Sequence, residues 1–553
     1  MDYKSEICKA INSPLVAADD IMIAAEGHGD YALPCFKYAK QLHKSPQAIA
    51  ADFAAGLAGC DIVERTEVAG GYLNFYLSRA AVAAHVLSGD SGIEAVRSAN
   101  AGKTVCIDYS SINIAKPFHI GHLMSTAIGG SLYRIYKYLG WNAVGINHLG
   151  DWGTQFGKLL AAYNEWGDKT KKLTLDDMLS LYVRFTEESE RDSALAERGR
   201  TEFLKIERGE PDAVRTYEMF KATTLEEVNK VYKRLGIAFD SYNGEAFYND
   251  KMQPVIDELE AKGLTEVSDG ALVVRLDDYG MPPCLIRRSD GASLYATRDL
   301  AAAQYRADTY KFDKCLYVVA TQQNLHFRQL FKVLELMGKP WAKDLVHVQF
   351  GMVSYEGQPL STRKGHVVFL KDVIENCVRK ARGIIEEKNP ALEGKAEVAE
   401  AVGVGAVMFF ALGTQRIKDV DFDYDRVLSF EGETAPYLQY THARCRSVLA
   451  KGASLLAGEP DCSLLTDDES YAVIAALSRF TDVVCDAADK YEPSVLARYL
   501  LDLAQRFNRF YIAGRIITDD AALSRARLAL TRAVADTIRA GLSLLLTDAP
   551  DRM

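Results

Sequence analysis

Two histidines three positions apart, His119 and His122, sit in the run "NIAKPFHIGHLMSTAIGGSLYRIYKYLG" (113–140), with Gly121 against the second, where a helical pattern begins. The free amides of a helix N-terminus and the positive end of its dipole favour anions, phosphate above all. His119 and His122 share one side of that first turn and can donate hydrogen bonds to phosphate oxygens whose charge grows during reaction. Gly121 removes a side chain where a flat base or ribose must lie. The chemistry expected is binding of a nucleotide triphosphate. A metal site stays open as an alternative, since His148 or Asp151 could add ligands to the two histidines.

A pair of this kind needs a rigid support on both sides. The apolar run "TVCIDYSS" precedes it and "NAVGINHLG" follows a long amphipathic pattern that ends at Leu139 with Gly140 as its cap, which predicts one βαβ unit of a parallel sheet. Residues from 160 to about 240 are polar and helical, as an insertion outside the sheet would be. A second α/β half follows, with "CLYVVA" and "VHVQFGMV" as buried strands. In "GGYLNFYLS", Tyr72, Asn74 and Tyr76 alternate with Leu73, Phe75 and Leu77, so a small α+β module with one polar strand face is expected at the N-terminus. Beyond 400 the pattern is helical, and every basic residue after Lys490 is arginine, which fits a bundle with an Arg-studded face. The fold class expected is therefore α/β. A Rossmann-type parallel sheet over 99–375 is split by a helical insertion at about 160–245, with an α+β module over 1–98 and an all-α bundle over 376–553.

A chain of 553 residues is too long for one ordinary core, so several domains are expected. Hydrophobic and charged fractions of 48% and 25% are those of a globular protein, and no apolar run approaches the roughly 18 to 20 residues needed to cross a bilayer. The N-terminal run carries acids inside its apolar stretch, which argues against a signal or transit peptide and for the cytoplasm. Ten cysteines are scattered without a C-x-x-C pair, so reduced thiols are expected rather than a zinc ribbon or a disulfide framework. A net charge of −10 gives no general attraction to nucleic acid, so an RNA partner must be met by local basic surfaces.

"SSINIAKPFHIGH" followed by "VGINHLGDWGTQFGKL" resembles the arginyl-tRNA synthetases, class I enzymes with a HIGH motif after a serine-rich strand end and an N-I-A-K tetrapeptide. Further matches in the family's order are "SDGASLYATRDLAAA" (289–303), "VVATQQNLHFRQLF" (318–331), "LSTRKG" (360–365) and "ETAPYLQYTHARCRS" (433–447). The resemblance implies ATP-dependent attachment of L-arginine to tRNA(Arg) through an arginyl-adenylate, with Mg²⁺ arriving on ATP rather than at a dedicated protein site, and a monomeric enzyme. The mobile K-M-S-K-S loop of such enzymes aligns with "PLSTR", where Leu360 and Ser361 hold their places and Thr362 replaces the second lysine. Arg363 and Lys364 remain nearby. Lys116, three residues before His119, is expected to supply the missing charge.

By the same resemblance, Ser111, Asn113 and His122 hold the substrate's amino and carboxylate groups, and Ile112 replaces a proline between the first two, which predicts a less rigid backbone there. Glu245, Tyr295, Asp299 and Gln323 fall on the family's guanidinium pocket, with Gln322 the less favoured register. Arginine's planar, always-charged fork requires such fixed acceptors. Asp151 and Gln155 are expected behind that pocket, with a helix N-cap equally open for Asp151. Tyr72 and Asn74 match positions used against an unpaired base of tRNA. Tyr437, Tyr440, Arg444 and Arg446, with His442 among them, fall where the family places a tRNA-contacting loop, and the C-terminal bundle resembles its anticodon-binding domain.

Overall fold

Four parallel strands carry the site. In the computed structural model, which describes every residue except 1–2, 26, 58–59, 90, 117, 289–294 and 360–367, they are β1 (Thr104–Asp108), β2 (Asn142–Ile146), β3 (Lys314–Ala320) and β4 (Leu345–Phe350). Their spatial order is β4-β3-β1-β2, with Cys106 of β1 opposite Cys315 of β3 and Val144 of β2. All five residues of β1 are buried, as a strand with both faces covered must be, and its Val, Cys and Ile suit that position. The chain runs to one side from β1 to β2 and returns to the other side at β3. Such a switch leaves a crevice beyond the carboxyl ends of β1 and β3, where open α/β sheets bind their ligands.

Helix α1 (Leu123–Tyr138) joins β1 to β2. Its first ten residues are all buried, so it is a central helix and not the amphipathic one expected, because the sheet and a C-terminal helix cover it together. Gly140 closes it as expected, at φ +87°, and a Cβ there would stand 2.7 Å from the Arg97 backbone.

Between β2 and β3 the insertion is four helices: α2 (Thr154–Trp166), α3 (Leu175–Ser189), α4 (Ser193–Glu207) and α5 (Pro211–Arg234). α3 opens with a capping box in which Thr174 accepts from the Asp177 amide and Asp177 accepts from the Thr174 amide. An antiparallel ribbon, Glu266–Ser268, Ala271–Val274 and Cys284–Arg287, follows. Sequence reasoning did not foresee it, since its strands are three or four residues long and carry little alternation. Helix α6 (Tyr295–Tyr310) leads into β3, and α7 (Asn324–Leu336) leads into β4.

The N-terminal module is α+β as expected, a four-stranded sheet ordered Met22–Ile23, Tyr31–Pro34, Tyr72–Leu77, Val63–Ala69. The expected polar face of the Tyr72–Leu77 strand is corrected at one position. Tyr72 is exposed, but Asn74 is only 3% accessible; both are paired on either side within the sheet, so the difference lies in how the face is covered along the strand and not in the pairing.

On the C-terminal side, α8 (Leu370–Lys388) runs continuously through the expected division at 375/376. The strand Val420–Phe422 also pairs in parallel with Val353–Tyr355, so the sheet-bearing and helical parts share elements. Then come α9 (Lys395–Leu412), which packs on α1, α10 (Ala435–Lys451), α11 (Ser494–Ala513) and α12 (Ala521–Leu544).

Candidate active site

The segment between β1 and α1 is held in a conformation that side chains rarely adopt. Ser110, Ser111 and Ala115 have φ of +68°, +45° and +60°, each costing on the order of 1 to 3 kcal/mol and persisting only where the surroundings hold it. They do hold it. Ser110 Oγ meets Thr126 Oγ1 at 2.8 Å and Tyr232 Oη at 2.7 Å, Ser111 Oγ donates to Asp108 Oδ1 at 2.7 Å, and the Ala115 amide donates to Thr224 Oγ1 at 3.1 Å. Between them Ile112 is buried and its carbonyl accepts from the Gly150 amide at 2.8 Å. A Cβ on Gly150 would lie 2.4 Å from Asn113 Oδ1. Where a less rigid backbone is expected at Ile112, hydrogen bonds between the backbone of 112–114 and Gly150 act as a restraint in place of a proline ring.

His119 and His122 come together, ring centroids 3.9 Å apart. His119 caps a three-residue 3₁₀ turn, Ile120–His122, and α1 proper starts at Leu123. One expectation is corrected here. The amides of this turn are not free for phosphate: His119 N donates to His122 Nδ1 at 3.2 Å, Gly121 N to His119 Nδ1 at 3.1 Å, His122 N to His119 O at 2.9 Å and Ile120 N to Val368 O at 3.0 Å. With each Nδ1 accepting, a neutral ring carries its proton on Nε2, so what this turn can still offer an anion is the imidazole N–H groups. Burial, and then the Lys116 charge, lower the His119 pKa. Burial and the neighbouring His119 bring His122 down to about 3. Both rings are neutral donors at neutral pH, and the exposed Lys116 is close enough for its charge to act on both.

Ser361, Arg363 and Lys364 lie outside the described residues. The chain just beyond their segment is fixed, since Leu370 N donates to Phe118 O at 3.0 Å and His119 bridges Phe369. The start of α8 is thus sewn to the HIGH turn.

Across the crevice, α6 begins at Tyr295 as expected and carries Asp299 one turn on; the side chain of Tyr295 lies outside the described residues. Asp299 Oδ2 is 2.7 Å from His326 Nε2, and its Oδ1 is 3.9 Å from His148 Nε2. Burial raises the Asp299 pKa, but the His326 hydrogen bond and the surrounding positive charge outweigh it and leave the carboxyl below its ordinary value. Glu245 Oε2 stands 3.8 Å from Arg298 Nη1. Burial pushes Glu245 up to about 7, helped by Asp299 and Asp151 and opposed by Arg298. Gln323 is exposed in a short turn before α7.

Asp151 is not the N-cap of α2, which is Gly153. It is fully buried and braces the acid wall, accepting from Lys221 Nζ at 2.7 Å and from the Ala246 amide at 2.9 Å. Sequence reasoning missed Lys221, His326 and Arg298, whose partners are remote in the chain. Among the described residues no group of three His, Cys, Asp or Glu side chains is placed to hold a metal ion, so the two histidines and His148 or Asp151 do not assemble as ligands.

From Ala435 on, the segment 433–447 is helix α10, capped by Thr434, and not the loop expected. Tyr440 is 43% exposed, Arg444 lies over the rings of Tyr440 and Tyr511 at 4.9 and 5.2 Å, and Asn508 ties Arg444 to Tyr437 through bonds of 2.7 and 2.9 Å. His442 is buried on the far face, 2.9 Å from Pro550 O. Arg446 is paired with Asp551 at 3.2 Å.

The family model for the catalytic domain of class I (R) tRNA synthetases matches residues 84–424, that for the arginyl-tRNA synthetase N-terminal domain matches 2–77, and that for the DALR anticodon-binding domain matches 438–553. An arginine–tRNA ligase of Alkaliphilus metalliredigens is 49% identical over 95% of this chain and 94% of its own length. One from Clostridium botulinum is 47% identical over all of both chains. The solved arginyl-tRNA synthetase of Thermus thermophilus superposes with a TM-score of 0.83 at 28% identity, covering 100% of this chain and 99% of that one.

Proposed function

Because the chain belongs to the class I arginyl-tRNA synthetases, we propose that His119 and His122 receive the triphosphate of ATP beside an arginine socket formed by Ser111, Asn113, Glu245, Tyr295, Asp299 and Gln323. The enzyme attaches L-arginine to tRNA with consumption of ATP. In the first step the arginine carboxylate attacks the α-phosphorus and pyrophosphate leaves. In the second, a hydroxyl of the terminal tRNA ribose attacks the carbonyl carbon of the adenylate and AMP leaves. Neither step needs a protein nucleophile. Both need positioning and the neutralisation of growing negative charge.

The observation that carries the assignment is the pair of imidazoles packed 3.9 Å apart and tilted by 36°, with each Nδ1 occupied by a backbone amide. Their Nε2 donors are preorganised and need no rearrangement when charge develops on phosphate oxygens. Lys116 adds an exposed positive charge, and Gly121, Ser361, Arg363 and Lys364 complete the contacts to ATP, with Mg²⁺ carried on the triphosphate. His122 also faces the substrate carboxylate. On the RNA side, Tyr440 with Arg444 and Tyr437 offers stacking and phosphate contact, and Tyr72 offers a ring on the N-terminal module. Arg446 reaches RNA by exchanging Asp551 for a phosphate, while the buried Asn74 supports the strand that presents Tyr72. We propose a monomer acting in the cytoplasm. Ten free cysteines support a reducing compartment, and among the described residues no helix is long and apolar enough to cross a membrane.

The test is arginine-dependent ATP–pyrophosphate exchange with and without tRNA, alongside tRNA charging. Arginine alone among the amino acids should be charged, and charging of a different amino acid onto its own tRNA would overturn the reading.

A further inference from the structure

We infer that Arg306 is a positioning residue that ties the two ends of the arginine socket together from beneath its floor. The inference rests on the reading of Ser111 and Asn113 as the amino and carboxylate end and of Asp299 as the guanidinium end. Arg306 lies on α6 two turns beyond Asp299 and is 1% exposed. Its Nη2 donates to Asp108 Oδ2 at 2.7 Å and lies 3.4 Å from His148 Nδ1. Asp108, the last residue of β1, uses its other oxygen to accept from Ser111 at 2.7 Å. His148 presents its Nε2 to Asp299 at 3.9 Å. Ser111, Asp108, Arg306 and His148 are thus linked by hydrogen bonds from the first end of the socket, and His148 carries the line on to Asp299 by an electrostatic approach of 3.9 Å.

Stability does not account for a full charge at this depth. A buried ion pair roughly cancels its own desolvation cost, and among the described residues Nε and Nη1 of Arg306 find no hydrogen-bond partner, which costs more. What the pair supplies is geometry. The planar guanidinium holds Asp108 at a fixed angle, Asp108 holds Ser111 at its strained φ of +45°, and the same arginine backs the imidazole that faces Asp299. The distance between the socket's two ends is then set by one rigid group, which suits an amino acid recognised at both termini of a long side chain.

The double variant Asp108→Asn, Arg306→Met removes both charges at similar volume and so leaves neither buried alone. The KM for arginine should rise about tenfold or more, since a misplacement near 1 Å is enough for such losses, while the KM values for ATP and tRNA stay within about twofold. A second readout is coupling. Ser111→Ala and Asp299→Asn should be non-additive in arginine binding in the parent and additive in the double variant, because remote sites without a shared network add. A folded double variant whose arginine KM stays within about twofold of the parent, or whose three KM values rise together, overturns the inference. Should the double variant fail to fold, Arg306→Lys keeps the charge but loses the fork, and the same KM split decides. Asp299→Asn alone separates the two levels: an unchanged arginine KM there removes the socket and the inference with it, whereas a raised one with an inert Arg306 leaves the socket standing.

Discussion

On the side of the crevice proposed for phosphate, burial holds His119 and His122 neutral, with Lys116 adding to it at His119 and His119 adding to it at His122, and their Nδ1 atoms are occupied by backbone amides. On the side proposed for the guanidinium both acids already face a protein cation or its imidazole equivalent, Asp299 beside His326 and Glu245 beside Arg298. The first half waits with donors fixed in place, and the second waits with its charge provisionally satisfied. The difference arises from what each must meet. Phosphate brings charge that grows during reaction, for which preorganised neutral donors are best. Arginine brings a full cation, and two bare acids in a half-buried wall would repel each other until it came.

The largest effect should come from disturbing the fixed half. His119→Asn keeps an acceptor for the Gly121 amide but withdraws the outward donor. Adenylate formation should fall by about 10²- to 10³-fold while the arginine KM stays near its parent value, read by pyrophosphate exchange with tRNA present. An arginine KM rising as steeply as the rate falls would erase the division between the halves. Lys116→Ala should act in the same direction but less, about tenfold on the rate, because an exposed lysine is screened by water. A rate untouched by that substitution removes Lys116 from the phosphate side.

The provisional half is the one that should answer to pH. Glu245 ionises near 7, so below that pH the acid wall has one charge fewer. The arginine KM should fall as pH rises from about 6 to about 8, and Glu245→Gln should flatten the profile. Stability moves the other way. A carboxyl raised from 4.5 to about 7 binds a proton in the folded state that the unfolded chain has lost, so its contribution is present below 4.5 and is lost as pH rises through 7. Denaturation midpoints of parent and Glu245→Gln should therefore converge in acid and separate toward pH 8. His122 contributes with the opposite slope, losing stability as pH falls from 6.5 toward 3, so the two effects oppose each other between about 4.5 and 6.5, and above 6.5 the Glu245 slope stands alone.

The two halves also differ in how far the sequence reveals them. The strand before His119, the helix after it and Gly140 at its end are local, and periodicity with one cap residue is enough to read them. The consumption of the turn's amides is not, because it depends on which way each imidazole nitrogen faces. The guanidinium side is assembled across the chain: Arg306 finds Asp108 over 198 residues, Lys221 finds Asp151 over 70, and Arg298 meets Asn249 over 49. No spacing rule reaches that far. Asn74 shows the same limit in the N-terminal module, where alternation separates two faces but says nothing of what covers them.

The smallest predicted effect tests the provisional half most directly. If His326 is a stand-in that must yield Asp299 to the incoming guanidinium, removing it lifts a competitor, and arginine should bind more tightly. His326→Gln retains a polar tip but loses the ring that reaches Asp299 at 2.7 Å. The arginine KM should drop by about two- to fivefold, a fraction of the roughly 1.5 to 3 kcal/mol that a hydrogen bond to a charged group carries, since His148 still faces the same carboxylate at 3.9 Å. Isothermal titration with arginine should show the matching gain in affinity. A rise in KM would mean that His326 orients Asp299 for the substrate, and the guanidinium side would then be as preorganised as the phosphate side.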